Sequence, residues 1–88
     1  MPYRVILSRR AEDEFDTLPA HVRKRVARWI NLLADDPRRP GVKKLEGHDD
    51  LYRVHASRDH VIVYTIRDRE VIVLVFRIAP RKDVYRGL

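Results

Sequence analysis

The chain has 88 residues, 44% of them hydrophobic, which supports a single domain over residues 1–88 with one modest core. Nineteen Lys and Arg against thirteen Asp and Glu give a net charge of +6, which favours nucleic acid or an acidic protein as the partner. Without cysteine, disulfides and thiolate metal sites are excluded. The N-terminal apolar cluster is too short for a signal peptide or a membrane span, so we expect a soluble, cytoplasmic protein.

The N-terminal half predicts a strand followed by two helices. The segment "YRVILS" alternates and is rich in β-branched residues, which favours a strand. Ser8 can cap a helix with acidic early turns, and Pro19 ends that helix because the residue before a proline is pushed out of helical conformation. A second helix is predicted from about Ala20 to Ala34, with an apolar stripe for the core and a basic face interpreted mainly as solvated surface.

The C-terminal half changes to a strand pattern. The runs "LYRVHA", "HVIVYTIR" and "EVIVLVFRI" are separated by "SRD" and "DR", which are short enough for hairpin turns. The predicted fold class is therefore α+β, with an N-terminal strand, an α-helical hairpin and then a three-stranded antiparallel meander. Because the strands are apolar on both faces, we expect helices to cover one face and either a partner or the C-terminal tail to cover the other.

Several familiar kinds of site are not found in the sequence. The four histidines, His21, His48, His55 and His60, stand in no metal-ligand spacing, so we predict no metal site and no cofactor. The serines lack the context of a hydrolase nucleophile. The carboxylates in "EDEFD" fall at a helix start, where solvation and the helix dipole explain them. The remaining chemistry is cationic.

Basic residues and one tyrosine converge on one predicted face of the meander. Arg53 and His55 are two residues apart on one strand, so their side chains share a face. Arg77 interrupts an apolar strand, and Arg81 and Tyr85 follow it. Antiparallel pairing brings all five side by side, which favours an anion-binding surface. The alternative is that the arginines extend from sheet edges into solvent while Tyr85 packs on the core.

Over nearly its whole length the sequence resembles the RelE/ParE superfamily of bacterial type II toxins. The resemblance rests on "YRVILS", "FDTLPAHVRKRVARWINLLADDP", "VKKLEGHDDLYRVHASRDHVIVYTI" and "VIVLVFRIAPRKDVY", with the combination K-x-L-x-G, YRV, VIVY and R-x-x-VY. It implies the RelE-like β-α-α-β-β-β fold and one of two activities. RelE-like members cut mRNA in the ribosomal A site, whereas ParE-like members inhibit DNA gyrase and lack the catalytic basic and tyrosine set.

The resemblance implies a catalytic set for a RelE-like, metal-independent mRNA endoribonuclease. Arg81 matches the family's arginine after the last strand, Tyr85 its C-terminal tyrosine, and Arg53 and His55 its two basic sites on the second strand. We expect Arg81 and Arg53 to stabilise phosphate charge while the RNA 2′-hydroxyl attacks. Tyr85 is expected to act as general base or to stack on a base, and His55 or His60 to donate the proton.

Val61 departs from the RelE-like pattern. It stands three residues before the tyrosine of the third strand, where RelE-like toxins usually carry an arginine. Arg58 and His60, in the adjoining turn, are the candidates to supply the missing cation. The residues expected to bind RNA are Lys43, Lys44, Arg58, His60 and Arg77.

The resemblance also implies partners. We expect a cognate antitoxin that wraps the toxin with a partly disordered segment, together with the ribosome and mRNA. A homodimer and a toxin–antitoxin heterotetramer both stay open. The alternative functions are a ParE-like gyrase inhibitor without nuclease activity and a degenerate toxin that binds only its antitoxin.

Overall fold

The computed structural model describes residues 2–86, so Met1 and residues 87–88 of the predicted domain lie outside the described part. The elements in chain order are β1 (Arg4–Leu7), α1 (Arg9–Asp16), α2 (Ala20–Asp35), β2 (Lys43–Lys44), β3 (Tyr52–His55), β4 (His60–Arg67) and β5 (Ile72–Pro80). The predicted α+β class and the order of strand, helical hairpin and meander are confirmed. The short strand β2 was not predicted.

Ser8 begins α1 in the predicted way and also ties the helix to the sheet. Its hydroxyl oxygen accepts a hydrogen bond from the Ala11 amide at 3.1 Å, satisfying an amide that the first helical turn leaves without a partner. The same hydroxyl donates to the Phe76 carbonyl in β5 at 3.0 Å. The end of β1 and the start of α1 are therefore fixed against the last strand.

The strands form one mixed sheet in the order β1-β5-β4-β3-β2. β1 pairs in parallel with β5, which requires the crossover that the two helices provide. The β3–β4–β5 meander is antiparallel, and β2 adds Lys43 opposite Arg53 at the outer edge. The last strand in the chain thus lies inside the sheet, between the first strand and β4.

The larger core lies between the helices and one face of the sheet, which we call the helix face. Its fully buried members include Val26 and Leu33 from α2 and Ile62 and Tyr64 from β4. The Tyr64 hydroxyl donates to the Pro37 carbonyl at 2.7 Å, which satisfies the one polar atom of this ring. Burial raises the pKa of Tyr64 above its usual 10.0, so the phenol stays protonated in this core.

A β-bulge determines which face of the sheet Arg77 occupies. Val63 pairs with Arg77, but the next residue, Tyr64, pairs with Val75, so Phe76 is the extra residue on β5. Residues two apart on a regular strand share a face, and Arg77 would then lie with Val75 among the apolar side chains under the helices. The bulge moves Arg77 to the opposite face, in the same row as Val63.

The opposite face, which we call the tail face, carries Lys43, Arg53, His55, Val61, Val63, Arg77 and Ala79. Residues 81–86, here named the tail, fold back over it in turns. The Asp83 and Val84 amides donate to the Pro80 carbonyl at 2.8 and 2.9 Å. The Val84 side chain is fully buried with Val61, Val63 and Ala79 in a second, smaller core. The sequence left open whether a partner or the C-terminal tail covers this face, and the structure shows the tail there.

An exposed network ties the segment after α2 to the turn between β4 and β5. The Arg38 guanidinium donates to both carboxylate oxygens of Asp68 at 3.0 and 2.9 Å, and the Tyr3 hydroxyl donates to the same carboxylate at 2.7 Å. Hydrogen bonding from Arg38, and then from Tyr3, lowers the pKa of Asp68 to about 2. In residues 2–86 no helix has both the length and the apolar character needed to cross a membrane.

Candidate functional site

The tail face brings three predicted site residues into one cluster. Across β2, β3 and β4 the pairing places Lys43 opposite Arg53 and Arg53 opposite Val63, while His55 pairs with Val61. Directly paired residues and residues two apart along a strand lie on the same face. Lys43, Arg53 and His55 therefore form a basic margin along the outer strands, beside the small core under the tail.

The His55 imidazole lies within the field of three cations. Loss of hydration on the sheet lowers the pKa of His55 below its usual 6.5, and the positive charges of Arg53, Arg81 and Lys43 lower it further. A second positive charge at this point is unfavourable, so the ring is neutral at neutral pH. An anion placed among these groups would reverse that effect. The cluster is therefore suited to a phosphate.

Tyr85 and Arg53 border one hollow of about 320 Å³, together with Lys44, Leu45, Glu46 and His48. Tyr85 is 39% exposed, so part of the residue is open to solvent. The hollow offers a cation, a phenol, an imidazole and a carboxylate within one small volume.

Arg81 lies outside the hollow that Arg53 and Tyr85 share. It borders a separate hollow of about 370 Å³ with Asp59, His60, Pro80 and Lys82, and its amide donates to the Asp59 carbonyl at 2.7 Å. Its charge nevertheless acts on His55. Arg81 and Tyr85 thus do not line a common hollow. Tyr85 shares a hollow with Arg53, and Arg81 acts on His55 through its charge.

Arg58 and His60 lie away from the Arg53 and Tyr85 hollow. Both border a hollow of about 350 Å³ at the start of α2, whose other lining residues are Pro19, His21, Val22, Arg25, Ser57 and Asp59. Nδ1 of His60 lies 3.2 Å from the Ser57 hydroxyl. Val61, at the position of the usual family arginine, is fully buried under Val84. Val61 therefore packs against the tail where the family arginine is usual. Arg58 lies in a different hollow and does not replace that arginine.

Arg77 was expected to contact RNA, and its surroundings correct that expectation. The residue is only 5% exposed. Its guanidinium donates to the Glu14 carboxylate and to the carbonyls of Val84 and Arg86. A guanidinium that is buried and already hydrogen-bonded to three residues is not accessible to a phosphate. Arg77 therefore belongs to the interior that supports the tail.

Glu46 and His48 border the Arg53 hollow but were not among the predicted site residues. They belong to the turn between β2 and β3, where Gly47 has a positive φ of 83° that favours glycine. The K-x-L-x-G motif at residues 43–47 marks this turn in the sequence. The approach of this turn to Arg53 depends on a strand of two residues, which is too short to show a period. In residues 2–86, no group of three His, Cys, Asp or Glu is placed to hold a metal ion.

The α+β fold with a basic face under a C-terminal tail is shared with small toxins of toxin–antitoxin pairs. Residues 5–85 match the family model described as the ParE toxin of the type II toxin–antitoxin system, parDE. The chain belongs to this family, within the RelE/ParE superfamily, and is a toxin of a type II toxin–antitoxin system.

Solved structures of the superfamily are similar to this chain over most of its length. The RelE of the archaeal RelE–RelB complex from Pyrococcus horikoshii is 26% identical, with a TM-score of 0.79 over 96% of this chain and 100% of that chain. The isolated E. coli RelE toxin is 26% identical, with a TM-score of 0.78 over 89% and 83% of the two chains.

The YoeB/ParE toxin from Agrobacterium tumefaciens shares the fold, with a TM-score of 0.79 at 13% identity over 89% of this chain and 98% of that chain. No curated protein matches the sequence. The structural relatives thus include chains described as RelE and a chain described as YoeB/ParE, while the family model is that of ParE.

Proposed function

We propose that this toxin is a ribosome-dependent mRNA endoribonuclease that works without a metal ion. The observation that carries the proposal is the gathering of Lys43, Arg53 and Arg81 around the neutral His55 ring, on the face that also presents Tyr85. RNA supplies its own nucleophile, the 2′-hydroxyl, so the protein has to move two protons and stabilise phosphate charge. The tail face presents groups for both tasks.

Arg53 and Arg81 would stabilise the transition state. The attack of the 2′-oxygen on phosphorus develops negative charge on the non-bridging oxygens, to which the two guanidinium groups would donate. The bond from phosphorus to the 5′-oxygen then breaks, leaving a 2′,3′-cyclic phosphate and a 5′-hydroxyl. Removing one such preorganised contact costs about 3–4 kcal/mol, or about 10²–10³ in rate.

The structure favours a reversal of the proton-transfer roles expected from the sequence. His55 or His60 was the expected proton donor, but a lowered pKa leaves the His55 ring neutral and able to accept a proton from the 2′-hydroxyl. The Tyr85 hydroxyl, open to the hollow, would donate to the leaving 5′-oxygen or hold the substrate base by stacking. Glu46, in the same hollow, is a second proton acceptor.

The test is cleavage mapping with an Arg81→Ala variant. After brief expression in bacteria, the 5′ ends of mRNA should show codon-phased cuts for the wild-type toxin. With purified ribosomes, Arg81→Ala should cleave about 10²–10³-fold more slowly. The matched control is Arg69→Ala, which removes the same charge from the exposed β4–β5 turn and should leave the rate unchanged. A folded Arg81→Ala variant that cleaves at the wild-type rate would refute the proposal.

Gyrase inhibition is the second candidate function. It is favoured by Val61, which is fully buried where RelE-like toxins usually carry an arginine, and by the match to the ParE family model. The same expressing cells decide between the two. Loss of negative supercoiling in a plasmid, with intact mRNA ends, would indicate gyrase inhibition. A toxin that causes neither change and no growth defect would be a degenerate one.

We further propose a cognate antitoxin as the protein partner. The similar toxins from Pyrococcus horikoshii and E. coli occur in complexes described as RelE–RelB and RelBE. An antitoxin would have to bind a chain with a formal net charge of +6, so an acidic segment suits it. Co-purification should show whether the complex is a heterotetramer. A homodimer of the toxin alone and a cytoplasmic location stay predictions.

A further inference from the structure

We propose that Arg77 and Glu14 are positioning residues that hold Tyr85 in place for RNA cleavage by fixing the tail backbone on both sides of it. This inference rests on the proposed nuclease function. It assigns a role to a buried ion pair that makes no contact with the hollows around the basic cluster. It also explains why the interior of the tail face contains a charged residue at all.

One edge of the Arg77 guanidinium binds helix α1. Nε donates to the two Glu14 carboxylate oxygens at 3.3 and 3.0 Å, and Nη2 donates to Oε2 at 2.9 Å. The side chains of the pair are only 6% and 20% exposed. A paired arrangement of planar fork and carboxylate fixes both the distance and the orientation of the guanidinium.

The other edge of the guanidinium binds the tail. Nη1 donates to the Val84 carbonyl at 3.3 Å and to the Arg86 carbonyl at 3.0 Å. These are the carbonyls of the two residues that flank Tyr85. A single side chain therefore clamps the backbone immediately before and after the phenol. Lysine carries its three donors on one nitrogen, so it cannot bind Glu14 on one edge and these two carbonyls on the other.

Glu14 is itself held at a defined place on the sheet. The last pair between β1 and β5 is Leu7 with Val75, so the backbone of β5 beyond this point has no strand on that side. The Ile78 amide, which lies there, donates to Glu14 Oε1 at 2.9 Å. An open edge amide is thereby satisfied by a helix carboxylate. The pair thus connects α1, β5 and the tail in one rigid unit.

The pair is better explained by positioning than by stability. Buried ion pairs contribute little compared with apolar side chains of similar volume. Val84 already anchors the tail through a fully buried side chain. Tyr85, by contrast, is 39% exposed, so burial fixes it less than it fixes Val84. Its place beside Arg53 therefore depends on the backbone, which is what the Arg77 contacts fix.

The first experiment measures the tail directly. In Arg77→Lys and in Glu14→Gln, the amide order parameters of Tyr85 and Arg86 from ¹⁵N relaxation should fall from about 0.85 to below about 0.6, the change from rigid to flexible backbone. Thermal unfolding establishes that each variant is folded. The matched control is Arg38→Lys, which alters the exposed Arg38–Asp68 pair and should leave the tail amides unchanged. Rigid tail amides in both folded variants would overturn the proposal.

The second experiment links the tail to cleavage by a double-mutant cycle. Arg77→Lys should lower kcat on ribosomes by about 10²-fold with little change in KM, because a displaced group costs chemistry more than binding. In a Tyr85→Phe background the same change should cost much less, since the group it positions has already been removed. Additive effects would overturn the positioning role.

The two hypotheses fail in different ways. A folded wild-type toxin that leaves mRNA intact overturns the nuclease function, whatever the order parameters show. A wild-type toxin that cleaves, together with an Arg77→Lys variant of unchanged kcat, overturns only the role of the ion pair.

Discussion

The two faces of the sheet are built differently. The helix face is covered by two helices and buries large side chains such as Leu33, Ile62 and Tyr64. Among residues 2–86, the tail face is covered by residues 81–86 and buries three valines and an alanine beside Arg77. The first arrangement holds the fold together through area removed from water. The second leaves cations at its margin, where they can meet an anion.

This difference separates stability from function within one small sheet. The tail covers less of the sheet than the helices do, and it leaves Arg53, His55 and Tyr85 partly exposed to solvent. The cost of the thin cover is that few contacts hold it. We therefore expect changes on the helix face to act on unfolding, and changes on the tail face to act on the proposed cleavage out of proportion to their effect on unfolding.

Leu33→Ala tests the helix face and should have the largest effect on stability. Leu33 is fully buried in α2, and truncation leaves a cavity in the larger core. We expect the free energy of unfolding to fall by about 2–5 kcal/mol. Denaturant unfolding measures this value. Cleavage by the folded fraction should be unchanged, and a selective loss of cleavage would break the separation between the faces.

Val84→Ala tests the tail face. It removes two carbon atoms from the small core, so the free energy of unfolding should fall by only about 1–2 kcal/mol. Cleavage should fall much further than this loss of stability implies, because Val84 anchors the segment that presents Tyr85. Unfolding curves and ribosome cleavage assays on the same preparation provide the comparison. If cleavage fell only as far as the loss of unfolding free energy implies, the tail would do no more than cover apolar side chains.

The pH dependence of His55 sharpens the view of the basic margin. Its pKa in the folded protein lies below 6.5, so the stability it contributes is complete above that pH and is lost as pH falls through the lower folded value. Cleavage should follow the neutral form and decline over the same acid range. In Arg81→Ala one repelling cation is gone, so the His55 pKa should rise. Proton NMR titration measures the His55 pKa in the wild type and in Arg81→Ala. A lower pKa in the variant would contradict the proximity of Arg81 to His55.

Val71→Asn should have the smallest effect and concerns neither face. Val71 adopts a positive φ of 55° in the turn between β4 and β5, a conformation that branched side chains rarely tolerate. Asparagine adopts it more readily, so the free energy of unfolding should rise by about 1 kcal/mol. A thermal melt detects the change. Tail amides and cleavage should not respond, which makes this variant a control for stability alone.

Much of the fold was predictable because it is encoded in local patterns. Ser8 as a cap, Pro19 as a break and the alternation in β4 each act over a few residues. The grouping of Arg53 with His55 likewise follows from strand period alone. These features need no knowledge of distant contacts.

The rest depended on contacts that local patterns do not contain. The bulge at Phe76 changes the face of Arg77, and nothing in "VLVFRI" marks the extra residue. The partner of Arg77 is Glu14, 63 residues earlier, which looked like an ordinary dipole carboxylate at a helix start. The lowered pKa of His55 depends on desolvation and then on three cations from three segments. Long-range pairing, rather than composition, decided these points.

The parallel pairing of β1 with β5 has a consequence for the order in which the toxin matures on its own ribosome. The hydrogen bond from the Ser8 hydroxyl to the Phe76 carbonyl joins residues that are 68 positions apart, so it cannot form until Phe76 has been synthesised. Because β5 also joins that strand to β4, a nascent chain that ends before residue 72 has no continuous sheet. Closing so distant a contact is slow. The first strand therefore stays without its neighbour in the sheet until the last segment of the chain has been synthesised.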